Sequence, residues 1–219
     1  MDPSTTDAPA ARVAVWDLPV RIVHWAIAVL VGFSWWSAEA ETLEWHYRSG
    51  VALLGLVLFR LVWGVIGSST ARFSGFVRGP RTILDYLRGR SEFVLGHNPL
   101  GALSVLALLF MLSLQLGLGL FAADEDGLLS GPLSHLLDEE TVETVTELHE
   151  TSFEVLKWLI ALHVAAVLYY LLVRRKNLVS PMLSGRTAAP EGTAGMKPAG
   201  PARFLIAAAV AFGTVWAIA

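Results

Sequence analysis

The sequence predicts an all-α integral membrane protein: a four-helix bundle with a fifth, C-terminal transmembrane helix. Three observations predict it. The 219 residues are 54% hydrophobic and only 16% charged, against about 25% charged in ordinary soluble domains. The charge deficit is concentrated in long uncharged runs, and a hydrocarbon core about 30 Å thick needs about 20 apolar residues in a helix. The segments between those runs alternate between acidic and basic.

The first span opens with the uncharged run 22–38. The second covers 45–67 and is interrupted by Arg48 and Arg60. The third lies within 93–123, which holds no Asp, Glu, Lys or Arg, and the fourth covers 151–173. A fifth apolar run, 204–219, is short and ends without a polar flank. Residues 1–12 read as a flexible N-terminus, 13–186 as the bundle domain, 187–202 as a linker and 203–219 as the extra helix. The stretch 181–201 is rich in Ala, Gly and Pro, the composition of a flexible connection. The first run is not expected to be a cleaved leader. Ala38-Glu39-Ala40 has a small-x-small pattern, but the first eleven residues carry no positive charge and the run holds His24, Trp35 and Trp36. No internal repeat is visible.

Arginines set the orientation. Arg72, Arg78, Arg81, Arg88 and Arg90 lie between the second and third spans, and Arg174, Arg175, Lys176 and Arg186 follow the fourth. Basic loops stay in the cytoplasm, so the N-terminus is expected inside. Glu39, Glu41 and Glu44, and the segment between the third and fourth spans, then face out. From 124 to 157 there are ten acidic residues and one lysine. Such a patch steers basic partners and repels anions, although a merely solvated loop has the same composition. No nucleic-acid partner is expected.

The chain has no cysteine. That excludes disulfides, thiolate-held iron–sulfur clusters and covalent CxxCH haem attachment. Any metal or haem must be held by other ligands. Six histidines are present, and an ionisable side chain within a span marks a functional site by default. His24 lies near the inner start of the first span, His46 at the outer start of the second and His149 at the outer start of the fourth. His163 is fourteen residues beyond His149, about 21 Å along a helix and close to four full turns. One helix therefore presents two imidazoles on one face at two depths, and two antiparallel helices each supply a partner. The pairs are His46 with His149 outside and His24 with His163 inside. Two imidazoles on opposite faces fill both axial positions of a haem iron, which suits electron transfer rather than oxygen chemistry. Two non-covalent haems b follow. Interhelical hydrogen bonding or a proton path is the plainer alternative, but four histidines at two matched depths favour haem.

Gly50 follows His46 by one turn and Gly32 follows His24 by two, leaving room for a flat macrocycle or for close helix packing. Arg48 and Arg60 are candidates to neutralise haem propionates, unless Arg60 snorkels to the inner surface. His97 precedes Asn98-Pro99, a helix-start pair. It reads first as structural, at a boundary where a quinone headgroup or a propionate can reach. His135 reads as solvated. No group is expected to act as a catalytic acid, base or nucleophile.

Several motifs together resemble one family. They are Arg21-x-x-His24-Trp25, His46-x-x-x-Gly50, Arg60-Leu61-x-Trp63-Gly64, Gly96-His97-Asn98-Pro99-Leu100-Gly101, His149-Glu150 with His163-Val164, and the closing Asn177-Leu178-Val179 and Met182-x-x-Gly185. Each is weak alone; in this order and on these spans they are similar to the prokaryotic cytochrome b561 family, nearest the b-type cytochrome subunit of nickel–iron hydrogenase. The resemblance covers about residues 13–186. It implies a four-helix bundle in the bacterial inner membrane with two bis-histidine haems b, their ligands falling on His24, His46, His149 and His163. It implies electron exchange with quinone and with a redox protein at the membrane surface, a c-type cytochrome or an iron–sulfur subunit, in a respiratory chain. A homodimer is compatible with it. Related assemblies include hydrogenase-like and formate-dehydrogenase-like complexes, and lone quinone reductases that take electrons from superoxide; the acidic outer face disfavours an anionic donor. A haem-free proton or metal transporter bundle is the alternative from another class. The fifth run lies outside the usual core.

Overall fold

A computed structural model describes residues 11–77, 79–90, 93–124 and 129–218. The expected flexible N-terminus, Arg78, Glu125 and Asp126 therefore lie wholly or largely outside the described residues. Five helices are long and apolar enough to cross a membrane: α1 (Leu18–Glu39), α2 (Leu43–Ile66), α5 (Pro99–Gly119), α6 (Glu139–Leu172) and α8 (Pro201–Ile218). Short helices α3 (Phe73–Phe76) and α4 (Pro80–Leu87) join α2 to α5, and α7 (Val179–Ser184) follows α6. Strands β1 (Ala11–Ala14) and β2 (Arg186–Ala189) pair antiparallel, Ala11 opposite Ala189 and Ala14 opposite Arg186.

Caps fix the starts of three of the long helices. The Asp17 carboxylate accepts from Val20 N–H at 2.8 Å, that of Asp138 from Thr141 N–H at 2.9 Å, and the Asn98 amide oxygen from Gly101 N–H at 2.7 Å, with Pro99 in the first turn of α5. Each satisfies a donor that the helix itself leaves free. The Asp138 carboxyl sits below its ordinary range because the Thr141 N–H and hydroxyl both bond its ionised form. The helix it caps differs from the expected fourth span: it begins at Glu139 rather than near 151, so His149 lies well inside it. At 34 residues, α6 is about 51 Å long and outreaches a bilayer.

α1 packs along α2, α5 along α6, and α2 touches α5. The four-helix seam is filled by Val57 of α2, Leu112 of α5 and Leu156 of α6, with Ile27 and Val31 of α1 against them. α8 lies on another side of α2. The linker before it is not free. β2 pairs with β1, Met196 N–H donates to Ala14 O at 2.8 Å, and Lys197 exchanges hydrogen bonds with Ser69. Composition alone pointed to flexibility there, but these polar backbone groups find partners at the end of the bundle where α1 begins and α2 ends. At Gly185, φ is +76°, and a Cβ would meet Trp16 O at 2.8 Å. Glycine is needed for the close approach that lets Val15 N–H reach Gly185 O at 2.8 Å.

Candidate haem-binding site

The rings of His46 on α2 and His149 on α6 lie 6.2 Å apart between centroids, mutually perpendicular. Each has its Nδ1 tied to a backbone carbonyl. His46 Nδ1–H donates to Ser34 O on α1 at 2.9 Å, and His149 Nδ1–H donates to Gln115 O on α5 at 3.0 Å. A proton held at Nδ1 makes Nε2 the lone-pair nitrogen, the state in which imidazole ligates a metal. Around them lies a buried polar group. The Ser152 hydroxyl donates to the Gln115 side-chain oxygen, and the Gln115 amide stands 3.1 Å from His149 Nε2. Gln115 and Ser34 are both buried, at 8% exposure each.

The second pair is His24 on α1 and His163 on α6; Ile27 and Ile160, one turn from each, pack in the same seam. His163 Nδ1 contacts the Ser104 hydroxyl of α5 at 3.3 Å. His24 Nδ1 is buried with no hydrogen-bond partner among the described residues, as are His97 Nδ1, the Ser68 hydroxyl and Arg21 Nε. All four of these atoms lie toward the end of the bundle where α1 begins and α2 ends. His97 is held between the rings of Trp16 and Phe76, each 4.6 Å away. Burial pushes it down to about 3, and the nearby Arg60, His163 and His24 oppose its protonation further. It is therefore neutral at physiological pH.

The two arginines differ. Arg60 is 8% exposed, lies over the Phe73 ring and reaches Ala71 O only at 3.5 Å. No carboxylate among the described residues lies within ion-pair distance of it. It is buried rather than snorkelled, and a buried cation calls for an anion. Arg48 is exposed and paired with Glu44 at 2.5 Å.

A Cβ built on Gly32 or Gly50 meets nothing within 4 Å, in keeping with room beside these histidines. Gly119 is different: a Cβ there would come within 2.9 Å of the His149 ring. Gln115, Ser34, Ser104 and Gly119 were missed by the sequence reading. Gln115 did carry a signal, as the one amide side chain within the α5 run. The others look like ordinary small residues of a membrane helix.

Leu156 stands midway between His149 and His163 and is 2% exposed, so the apolar seam separates the two pairs. Among the described residues no group of three or more His, Asp or Glu gathers to hold a bare metal ion. Two-nitrogen sites on facing helices suit a macrocycle that brings its own four nitrogens. His135 lies exposed in a short 3₁₀ turn between α5 and α6.

A family model for prokaryotic cytochrome b561 matches residues 15–185. No curated protein and no solved structure matches the chain.

Proposed function

This chain belongs to the prokaryotic cytochrome b561 family, membrane b-type cytochromes of electron transfer, and we propose that it carries electrons across the bacterial inner membrane through two haems b. The exchange runs between the quinone pool and a redox protein at the outer face, within a respiratory chain. The observation that carries this reading is the pairing of imidazoles from facing helices at two depths of α6. His46 and His149 stand 6.2 Å apart, and Ile27 and Ile160, one turn from His24 and His163, pack into the same seam between α1 and α6.

The residues fit the group. Carbonyls hold the proton of His46 and His149 at Nδ1 and leave Nε2 for iron. The buried, unpaired Arg60 and the unpartnered His97 Nδ1 and Ser68 hydroxyl supply the positive charge and hydrogen bonds that propionates take up. Each haem, when bound, supplies an iron that gains and loses one electron at a potential set by its surroundings. The chain does the rest. His46 and His149 would hold the outer haem, and His24 and His163 the inner one. The Gln115 amide, held by Ser152, would then stand beside His149 rather than on its Nε2. Val57, Leu112 and Leu156 keep the space between the sites apolar and free of water. Arg60 would balance the charge of an inner propionate, and Arg48, now paired with Glu44, would be available to an outer one.

The N-terminus is cytoplasmic, because the basic α2–α5 and α6–α7 connections stay inside. The outer extension of α6 then projects Glu140, Glu143, Glu147, Glu150 and Glu154, all exposed, beside the outer pair. A basic donor or acceptor such as a soluble c-type cytochrome docks there. A reduced-minus-oxidised visible spectrum of the purified protein, with haem counted per chain, tests the reading. Two low-spin haems b per chain are expected. A colourless protein from haem-replete cells would sink it and favour the proton or metal transporter.

A further inference from the structure

The family match ends at residue 185, yet the remaining segment is built into the inner end of the bundle. We propose that residues 186–218 form a clamp that positions the inner histidine site and keeps it dry, and so holds the potential of the inner haem up; this rests on the di-haem reading above.

Three contacts carry it. First, α8 seats Ala207 and Ala211 on α2 at 0% and 5% exposure. In lipid, where apolar helices gain nothing from leaving water, small residues in close packing are what hold helices together. Phe204 adds ring contacts to Phe59 at 5.5 Å and to Trp63 at 6.2 Å. Those two residues flank Arg60 on α2. Second, Trp63 Nε1–H donates to the Asp17 carboxylate at 2.9 Å, and the same carboxylate caps α1. α8 is thus linked through Trp63 to the start of the helix that presents His24 two turns on. Third, Ser69 N–H donates to Lys197 O at 3.0 Å, Lys197 N–H donates to Ser69 Oγ at 2.9 Å, and Arg203 donates to Ile66 O at 3.3 Å. These bonds pin the loop whose Ala71 carbonyl faces Arg60.

Val20 and Val23 of α1, the latter next to His24, share one packed cluster with Phe59, Trp63, Ala71, Ala207 and Ala211, and Arg60 reaches the Ala71 carbonyl at the edge of that cluster. A cation in a dry site disfavours the ferric iron, which carries the extra positive charge, and so raises the potential. Water admitted beside Arg60 screens that cation and stabilises the ferric state. Both effects lower the potential of the inner haem and leave the outer one alone.

The test is a spectroscopic redox titration of the full-length protein and of an Ala207→Leu, Ala211→Leu variant, with His163→Ala identifying the inner component. The variant is expected to keep two haems per chain and to show a lower inner midpoint beside an unchanged outer one. Leu205→Ala, on the exposed face of α8, is expected to shift neither. If the double variant does not fold, Arg203→Ala and Ser69→Ala, which remove single hydrogen bonds, are expected to give the same shift in smaller measure. Folded variants with both midpoints at their unmodified values would overturn the clamp alone. An unmodified protein without two haems would overturn the di-haem reading and the clamp with it.

Discussion

Gly119 shows how closely the neighbours of the proposed ligand His149 are set. A Cβ there would sit 2.9 Å from the His149 ring, so Gly119→Ala must displace the imidazole. Overpacking of this kind costs about 1–3 kcal/mol, more than the roughly 1 kcal/mol that alanine gains over glycine in a helix. The expected outcome is partial loss of the outer haem with the inner retained, measured as haem per chain. Ser104 acts on the other pair. Losing the partner of a ligating histidine weakens metal binding about 10–100-fold, and a contact of 3.3 Å is long. Ser104→Ala is therefore expected near the tenfold end, for the inner haem alone, measured by haem loss on dilution. The histidines were legible because charge-capable groups are rare in apolar runs and their spacing can be converted to depth. Gly119 and Ser104 were not, since their roles depend on which helix faces which.

α6 carries the clearest element-scale consequence. Its Asp138 cap and early turns extend the helix beyond the membrane, which the apolar run alone did not reveal because those turns are polar and acidic. Glu140, Glu143 and Glu147 are exposed on that extension. Electron exchange with a basic c-type cytochrome is expected to slow as salt rises from about 0.01 to 0.15 M, where the screening length falls from about 30 to 8 Å. Replacing these three glutamates with glutamine is expected to flatten that dependence. An unchanged slope in stopped-flow traces would move the docking site elsewhere. The linker before α8 shows the opposite limit of composition. Ala, Gly and Pro indicate freedom, yet Met196 and Lys197 find backbone partners on segments distant in sequence, which no local pattern encodes.

At the scale of the whole molecule, five crossings would place residues 11 and 218 on opposite sides of the membrane. A reporter enzyme that folds only outside the cytoplasm is expected to be active when fused after Ile218 and inactive when fused within 190–195. Activity at both positions would contradict the proposed orientation. The helical membrane architecture was legible early because hydropathy suffices for it, whereas the seating of α8 on α2 required three dimensions. The most direct test of the central claim is haem content across single alanine variants of His24, His46, His149 and His163, with the double variants of each pair. The account predicts two groups. Loss of His46, of His149 or of both removes the same one haem, and loss of His24, of His163 or of both removes the other. Single variants that all retain two low-spin haems would contradict it.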